Sequence, residues 1–107
     1  MLIHDILLYM NRTIETQLKN DDMTKLYKVL AELSDPKEIA QLLRDLLTLE
    51  ELQEAGRRLA VAERLNNGET QRSIAAQTGV STATVSRVNS WLHHGTGGYQ
   101  LALKRMH

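Results

Sequence analysis

The side chains best suited to chemistry in this chain lie between Gln71 and Ser90, which reads QRSIAAQTGVSTATVSRVNS. With the second half of that stretch in a helix, Ala83, Ser86 and Ser90 share one face. Thr82, Thr84 and Arg87 flank them, and Val85 and Val88 point the other way. Side chains this short let a helix backbone come close to a flat partner. Ala83 and the threonine methyls suit the methyl group of thymine, and the Ser86 hydroxyl can pair with several bases, so direct readout of duplex DNA would be loose. Arg72, near the start of the first half, suits a guanine or a phosphate. Thr70 and Gln71 lie at the same end, where free backbone N–H groups can hold a phosphate.

Two short helices meeting at a glycine are what would position these groups. Ile74 and Ala75 face inward on the first, and Val80 fills the corner. Gly79 can take the left-handed conformation that a tight turn needs. Ala75 is small enough to let two helix backbones approach. Ser81 can accept a hydrogen bond from the first free N–H groups of the second helix, whose Val85 and Val88 point back at the first. That is the layout of a helix-turn-helix over residues 70–92, with its second helix shaped for the major groove. Thr78 fits least well, since its inward position would suit an aliphatic residue better. The bland alternative is an ordinary helical hairpin with a glycine corner.

The net charge of zero hides a segregation. All thirteen acidic residues lie between Asp5 and Glu69; from Thr70 onward there is none, while Arg72, Arg87, Lys104 and Arg105 remain. Such asymmetry is the footprint of a polyanion-facing end. Four positive charges make a modest patch, so a single copy should bind weakly and with a steep salt dependence.

One hundred and seven residues make one small domain, near the size at which a lone core is marginal and dimerisation completes it. With no Phe, one Trp and one Pro, the core must come from Leu, Ile, Val and Ala. The lack of Cys excludes disulfides and thiolate metal sites and suits a reducing cytoplasm. No secretory segment and no run of membrane-spanning length can be found, so a soluble, cytoplasmic protein without a membrane partner is expected.

The remaining elements all read as helix, giving an all-α fold of five to six helices. Residues 1 to about 18 carry Leu2, Ile3, Ile6, Leu7, Met10, Ile14 and Leu18 at amphipathic spacing. Asn20, Asp21 and Asp22 break that pattern and offer a cap for a second helix through Leu26, Tyr27, Leu30 and Leu33. Asp35, Pro36 and Glu38 mark the start of a third, which runs to about Leu47. Thr48 and Glu51 form a capping box for a fourth helix from Leu49 to Asn66 or Asn67, stopped by Gly68. Its apolar residues (Leu49, Leu52, Ala55, Leu59, Val61, Ala62 and Leu65 among them) cover well over half the circumference, more than a surface helix needs. This predicts a scaffold packed on several sides, in part by a second subunit. A last helix runs from Tyr99 to Met106.

Over Leu47 to Leu92 the sequence resembles the Trp repressor family. The pieces that carry the likeness are Leu47–Thr48, a capped helix with Gly56 and Arg58, Asn67–Glu69, Gln71–Arg87 and Asn89–Ser90. The tail LHHGTGGYQLALKRM, Leu92 to Met106, resembles the YerC/YecD branch of that superfamily. The resemblance implies an intertwined, all-helical homodimer that regulates transcription, most simply as a repressor. Its two recognition helices would meet a near-palindromic operator about one DNA turn apart. The family-like domain would span residues 21–107, and Arg72 matches a DNA-contacting arginine. Residues 1–20 would be a family-specific arm, an extra dimer helix, or an extension from an upstream start with Met10 or Met23 as alternatives.

The same resemblance implies an effector site for a small, amino-acid-like co-repressor. Thr48, Arg58 and Arg87 match pocket residues that hold an amino acid between the scaffold helix and the recognition helix. Val88 departs from the family pattern, which has glycine beside the pocket, and a branched side chain there fills space that an indole needs. Glu54, one turn before Arg58, stands in the favourable order for an ion pair with it.

No other chemistry emerges. His93 and His94 diverge by about 100° on a helix, and His4 and His107 lie near the ends, so neither a metal site nor a resident cofactor is expected. With no nucleophile elbow, phosphate loop or acid–base pair in a cleft, no catalytic residues can be assigned and an enzyme is not expected. Trp91 and Leu92 read as core or dimer contacts. The rival function is a helical adaptor whose helix-turn-helix docks a protein instead of DNA.

Overall fold

The computed structural model describes residues 16–106, so the amphipathic segment expected over residues 1–18 lies almost wholly outside the described residues. Six helices occur among the described residues and no strand. The chain divides after Leu46 into two compact units.

In the first unit, α1 (Asp21–Glu32) opens at Asn20, whose side-chain oxygen accepts from the Met23 N–H at 2.9 Å. Asp21 and Asp22 put negative charge in the first turn, where the helix dipole favours it. Helix α2 (Pro36–Leu46) follows Asp35, whose carboxylate accepts from the Lys37 N–H at 2.9 Å, and Pro36 takes the first helical position. Met23, Leu26 and Leu30 on α1, and Ile39, Leu42 and Leu43 on α2, are half-buried. No residue of either helix is fully buried.

The second unit holds the core. Helix α3 (Leu49–Asn66) begins with the expected capping box: the Thr48 hydroxyl accepts from the Glu51 N–H at 3.1 Å, and the Glu51 carboxylate accepts from the Thr48 N–H at 2.9 Å. A cap of this kind contributes about 1 kcal/mol. After Gly68, α4 (Gln71–Thr78) starts at Thr70, whose hydroxyl accepts from the Ser73 N–H at 3.1 Å. Gly79 turns the chain with φ +75°, and α5 (Thr82–His94) starts at Ser81, which accepts from the Thr84 N–H at 3.1 Å. Helix α6 (Gly98–Arg105) closes the chain against α3 and α5.

Where these four helices meet, Val61 and Ala62 of α3, Ile74 of α4, and Val85 and Val88 of α5 exclude water completely or nearly so. Leu65, Ala75, Val80, Tyr99 and Leu103 pack around them. Helix α5 therefore rests on three helices at once, which is what holds its outer face steady.

One expectation needs correction. Thr78 does not occupy an inward slot: it is exposed, its hydroxyl donates to the Ile74 carbonyl at 2.6 Å, and it accepts from the Val80 N–H at 3.2 Å. A hydroxyl does there what an aliphatic side chain could not, by satisfying backbone groups at the end of α4 and in the turn. The scaffold helix keeps apolar surface open. Within one chain only Val61 and Ala62 of α3 are fully buried, while Leu49 is 54% exposed and Ala55, Gly56 and Ala60 are exposed.

Candidate nucleic-acid interface

The register of α5 is settled by its buried side. With Val85, Val88 and Leu92 turned into the protein, Thr82, Ala83, Ser86, Arg87 and Ser90 are all exposed. Thr84 is half-buried, and its hydroxyl lies 2.9 Å from that of Ser81, so it helps to cap the helix as well as flanking the outer face. Arg72 is exposed in the first turn of α4. The Thr70 hydroxyl already takes the Ser73 N–H, which removes one of the donors that a phosphate could have used there. The outer face is thus made of small hydroxyls, one methyl and arginine, on a stretch with no carboxylate after Glu69.

The residues expected to hold an effector are differently placed. The Thr48 hydroxyl serves the capping box. Arg58 does not pair with Glu54; the carboxylate of Glu54 accepts from Arg57 at 2.8 Å, three residues away on the same helix. The Arg58 guanidinium instead stands 5.9 Å from the centroid of the Trp91 ring, within reach of a cation–π attraction. Burial pushes the Tyr99 phenol up, and the nearby Arg58 charge offsets part of that rise. Arg58, Trp91 and Tyr99 therefore share one region, with Trp91 42% exposed. Arg87 is exposed, and Val88 is sealed in the core. An open cleft of about 380 Å³ lies between α3 and the turn, bounded by Glu54, Arg57, Gly79, Ser81 and Thr84. A smaller one of about 240 Å³ adjoins it along Ala60, Val61 and Arg64. Neither is lined by Thr48, Arg58 or Arg87.

A polar clamp that the sequence did not reveal joins α3 to α4. Arg64 Nε donates to both carboxylate oxygens of Glu69 at 3.0 Å, and its Nη2 donates to Glu69 Oε1 at 2.7 Å. Nη2 also donates to Gln77 Oε1, and Gln77 Nε2 donates to the Ser73 hydroxyl at 3.2 Å. The hydrogen bonds from Arg64, helped by its charge, hold the Glu69 carboxyl below the usual carboxylate range against the opposing effect of burial. Hydrogen bonds from the backbone and then the side chain of Thr48 hold Glu51 low in the same way.

These two carboxyls make stability depend on acid. A group whose folded value lies below its unfolded one contributes fully above the unfolded value and loses that contribution as pH falls through the folded one. The melting midpoint should therefore drop as pH goes from about 5 to about 3. Glu69→Gln should flatten that drop, as read by circular dichroism melts across the range. An unchanged slope would show that the Arg64–Glu69 pair is not formed in solution.

A glycine-cornered helix pair, set on an all-α body with its second helix turned outward and free of carboxylates, defines a helix-turn-helix protein. The chain matches the Trp repressor protein family over residues 21–107, and it belongs to that family. It is 37% identical over 90 residues to YerC of Bacillus subtilis (strain 168), an uncharacterized protein, covering 84% of this chain and 86% of that one. Among solved structures it is similar to a TrpR-like protein from Eubacterium eligens, at a TM-score of 0.78 and 34% identity over 84% of this chain and 93% of the other. A protein from Staphylococcus aureus described as a candidate Trp repressor gives a TM-score of 0.79 and 34% identity, with 85% and 91% covered. No helix among the described residues is long and apolar enough to cross a membrane.

Proposed function

We propose that this protein is a transcription regulator, acting as a repressor, that binds double-stranded DNA as a homodimer at a near-palindromic operator. The observation that carries the proposal is the orientation of α5. Val85 and Val88 are fully buried, while Thr82, Ala83, Ser86, Arg87 and Ser90 are offered to solvent on the carboxylate-free end of the chain. Ala83, Ser86 and Ser90 would face the base edges, flanked by Thr82, Thr84 and Arg87, while Arg72 contacts guanine or phosphate.

A second copy is supported by apolar surface that one chain leaves open. Leu49 and Leu101 are more than half exposed (54% and 55%), Tyr27, Val29 and Leu46 are exposed too, and α1 and α2 bury nothing fully. In this proposal residues 21–107 form the dimerising, DNA-reading domain and residues 1–20 an extension to it, and the protein works in the cytoplasm, where its DNA lies.

A small amino-acid-like co-repressor at Thr48, Arg58 and Arg87 is the proposal's finer part. Such a ligand would have to share Arg58 with Trp91 and fit beside a buried Val88. Selection of bound sequences from random duplex DNA, with and without tryptophan and related indoles, tests both parts. A symmetric enriched site with half-sites about ten base pairs apart is expected. Failure to enrich any site while the protein captures a protein partner would favour the adaptor. Calorimetry with the same indoles that stays free of heat at millimolar ligand would remove an indole effector.

A further inference from the structure

We propose that Arg64 is the positioning residue that sets the angle of α4, and hence the aim of α5, so that specificity depends on a side chain that never meets the DNA. The inference rests on the DNA-binding function above and goes beyond it by naming what tunes the readout.

Helix α4 is eight residues long and buries one residue fully, Ile74. Ile74, with the small Ala75 beside it, resists removal but does little to resist rocking, because hydrophobic contact is non-directional. Hydrogen bonds supply the missing direction. Arg64, in the last turn of α3, grips Glu69 with a fork just before α4 begins and Gln77 where α4 is about to end. Gln77 then bonds back to Ser73, and the Ser73 N–H bonds to Thr70, so the clamp runs along α4 from end to end. A planar guanidinium fixes such a geometry as no ammonium could.

The pairing also decides a matter of charge. Glu69 is the last carboxylate before the basic end, and Arg64 neutralises it at 2.7 Å. With only 26% of its side chain exposed and both Nε and Nη2 occupied, Arg64 is committed to protein partners. That separates it from Arg72 and Arg87, whose side chains are free to reach outward.

The test compares four full-length proteins: wild type, Arg64→Met, Arg64→Lys, and the reversed pair Arg64→Glu with Glu69→Arg. Affinities for the selected operator and for an unrelated duplex are measured by fluorescence anisotropy across a salt series. Arg64→Met should lose about tenfold in operator affinity while unrelated duplex is held as before, the loss expected from one positioning bond. Lysine should not restore it. The reversed pair should, because a guanidinium at position 69 would regain the fork and the Gln77 amide can turn to donate to a carboxylate at position 64. The salt slope should stay constant, since no phosphate contact is lost.

An unchanged operator-to-unrelated ratio in Arg64→Met would overturn the proposal. So would a salt slope reduced by about 0.9, which marks a direct phosphate contact. Should the wild type bind no duplex at all, the DNA-binding function fails first. Hydrogen exchange then decides the clamp separately: Arg64→Met must speed exchange of the α4 amides while those of α3 keep their protection, and equal exchange in both proteins refutes it.

Discussion

Alanine at both Arg72 and Arg87 should weaken operator binding by about thirtyfold or more, at about 1–3 kcal/mol for each contact. The slope of log affinity against log salt should become shallower by up to about two units if both touch phosphate, and by less if Arg72 holds a guanine. Folding should be untouched, because both side chains are exposed and neither pairs with a carboxylate of its own helix. Anisotropy titrations at several salt concentrations, beside a thermal melt, measure all of this. If binding to DNA persists with an unchanged slope, these arginines do not face the duplex. Were the rival adaptor function true, the variant would keep a protein partner, and no DNA affinity would exist to lose.

Ile74→Ala should cost about 2–5 kcal/mol of stability, a large share of what a domain this small possesses. Ile74 is wholly buried where α3, α4 and α5 meet, against Val61, Ala62, Val85 and Val88. Removing three carbons there leaves a void that helices pinned by short turns cannot close. The contrast is Ser86→Ala, on the outer face of α5, which should change stability by about 0.5 kcal/mol or less. Urea unfolding at one fixed protein concentration compares the two, since any subunit association adds to apparent stability. A cost below about 1 kcal/mol for Ile74→Ala would mean that the helix-turn-helix does not share this core.

Much of the architecture was legible because it is written in local rules. Thr48 with Glu51, Asn20, Asp35 and Ser81 all cap helices where side-chain oxygens can reach free N–H groups, and Gly79 turns left-handed where the spacing required it. The inward and outward faces of α5 followed from the positions of Val85 and Val88. What escaped were contacts that cross between elements or compete within one. Arg64 and Glu69 are five apart with Gly68 between them, a spacing that no helix brings together; only the turn at φ +91° does so. Glu54 had two arginines within a turn and took Arg57, leaving Arg58 to an aromatic ring on another helix. At Thr78 side-chain volume points inward, whereas the backbone groups at the end of α4 and in the turn hold the hydroxyl at the surface. The open apolar flank of α3 follows from its composition.

The chain contains no cysteine, so a single introduced thiol reports on one place without interference. Ser86→Cys puts that thiol on the outer face of α5, and Lys37→Cys puts one at an exposed position of α2 as a control. With saturating operator duplex, alkylation of the thiol at position 86 should slow by about tenfold or more while that at position 37 proceeds at its free rate, since a group pressed against base edges is shielded from solvent. Equal rates at both positions, with duplex demonstrably bound, would mean that some other surface of the protein holds the DNA.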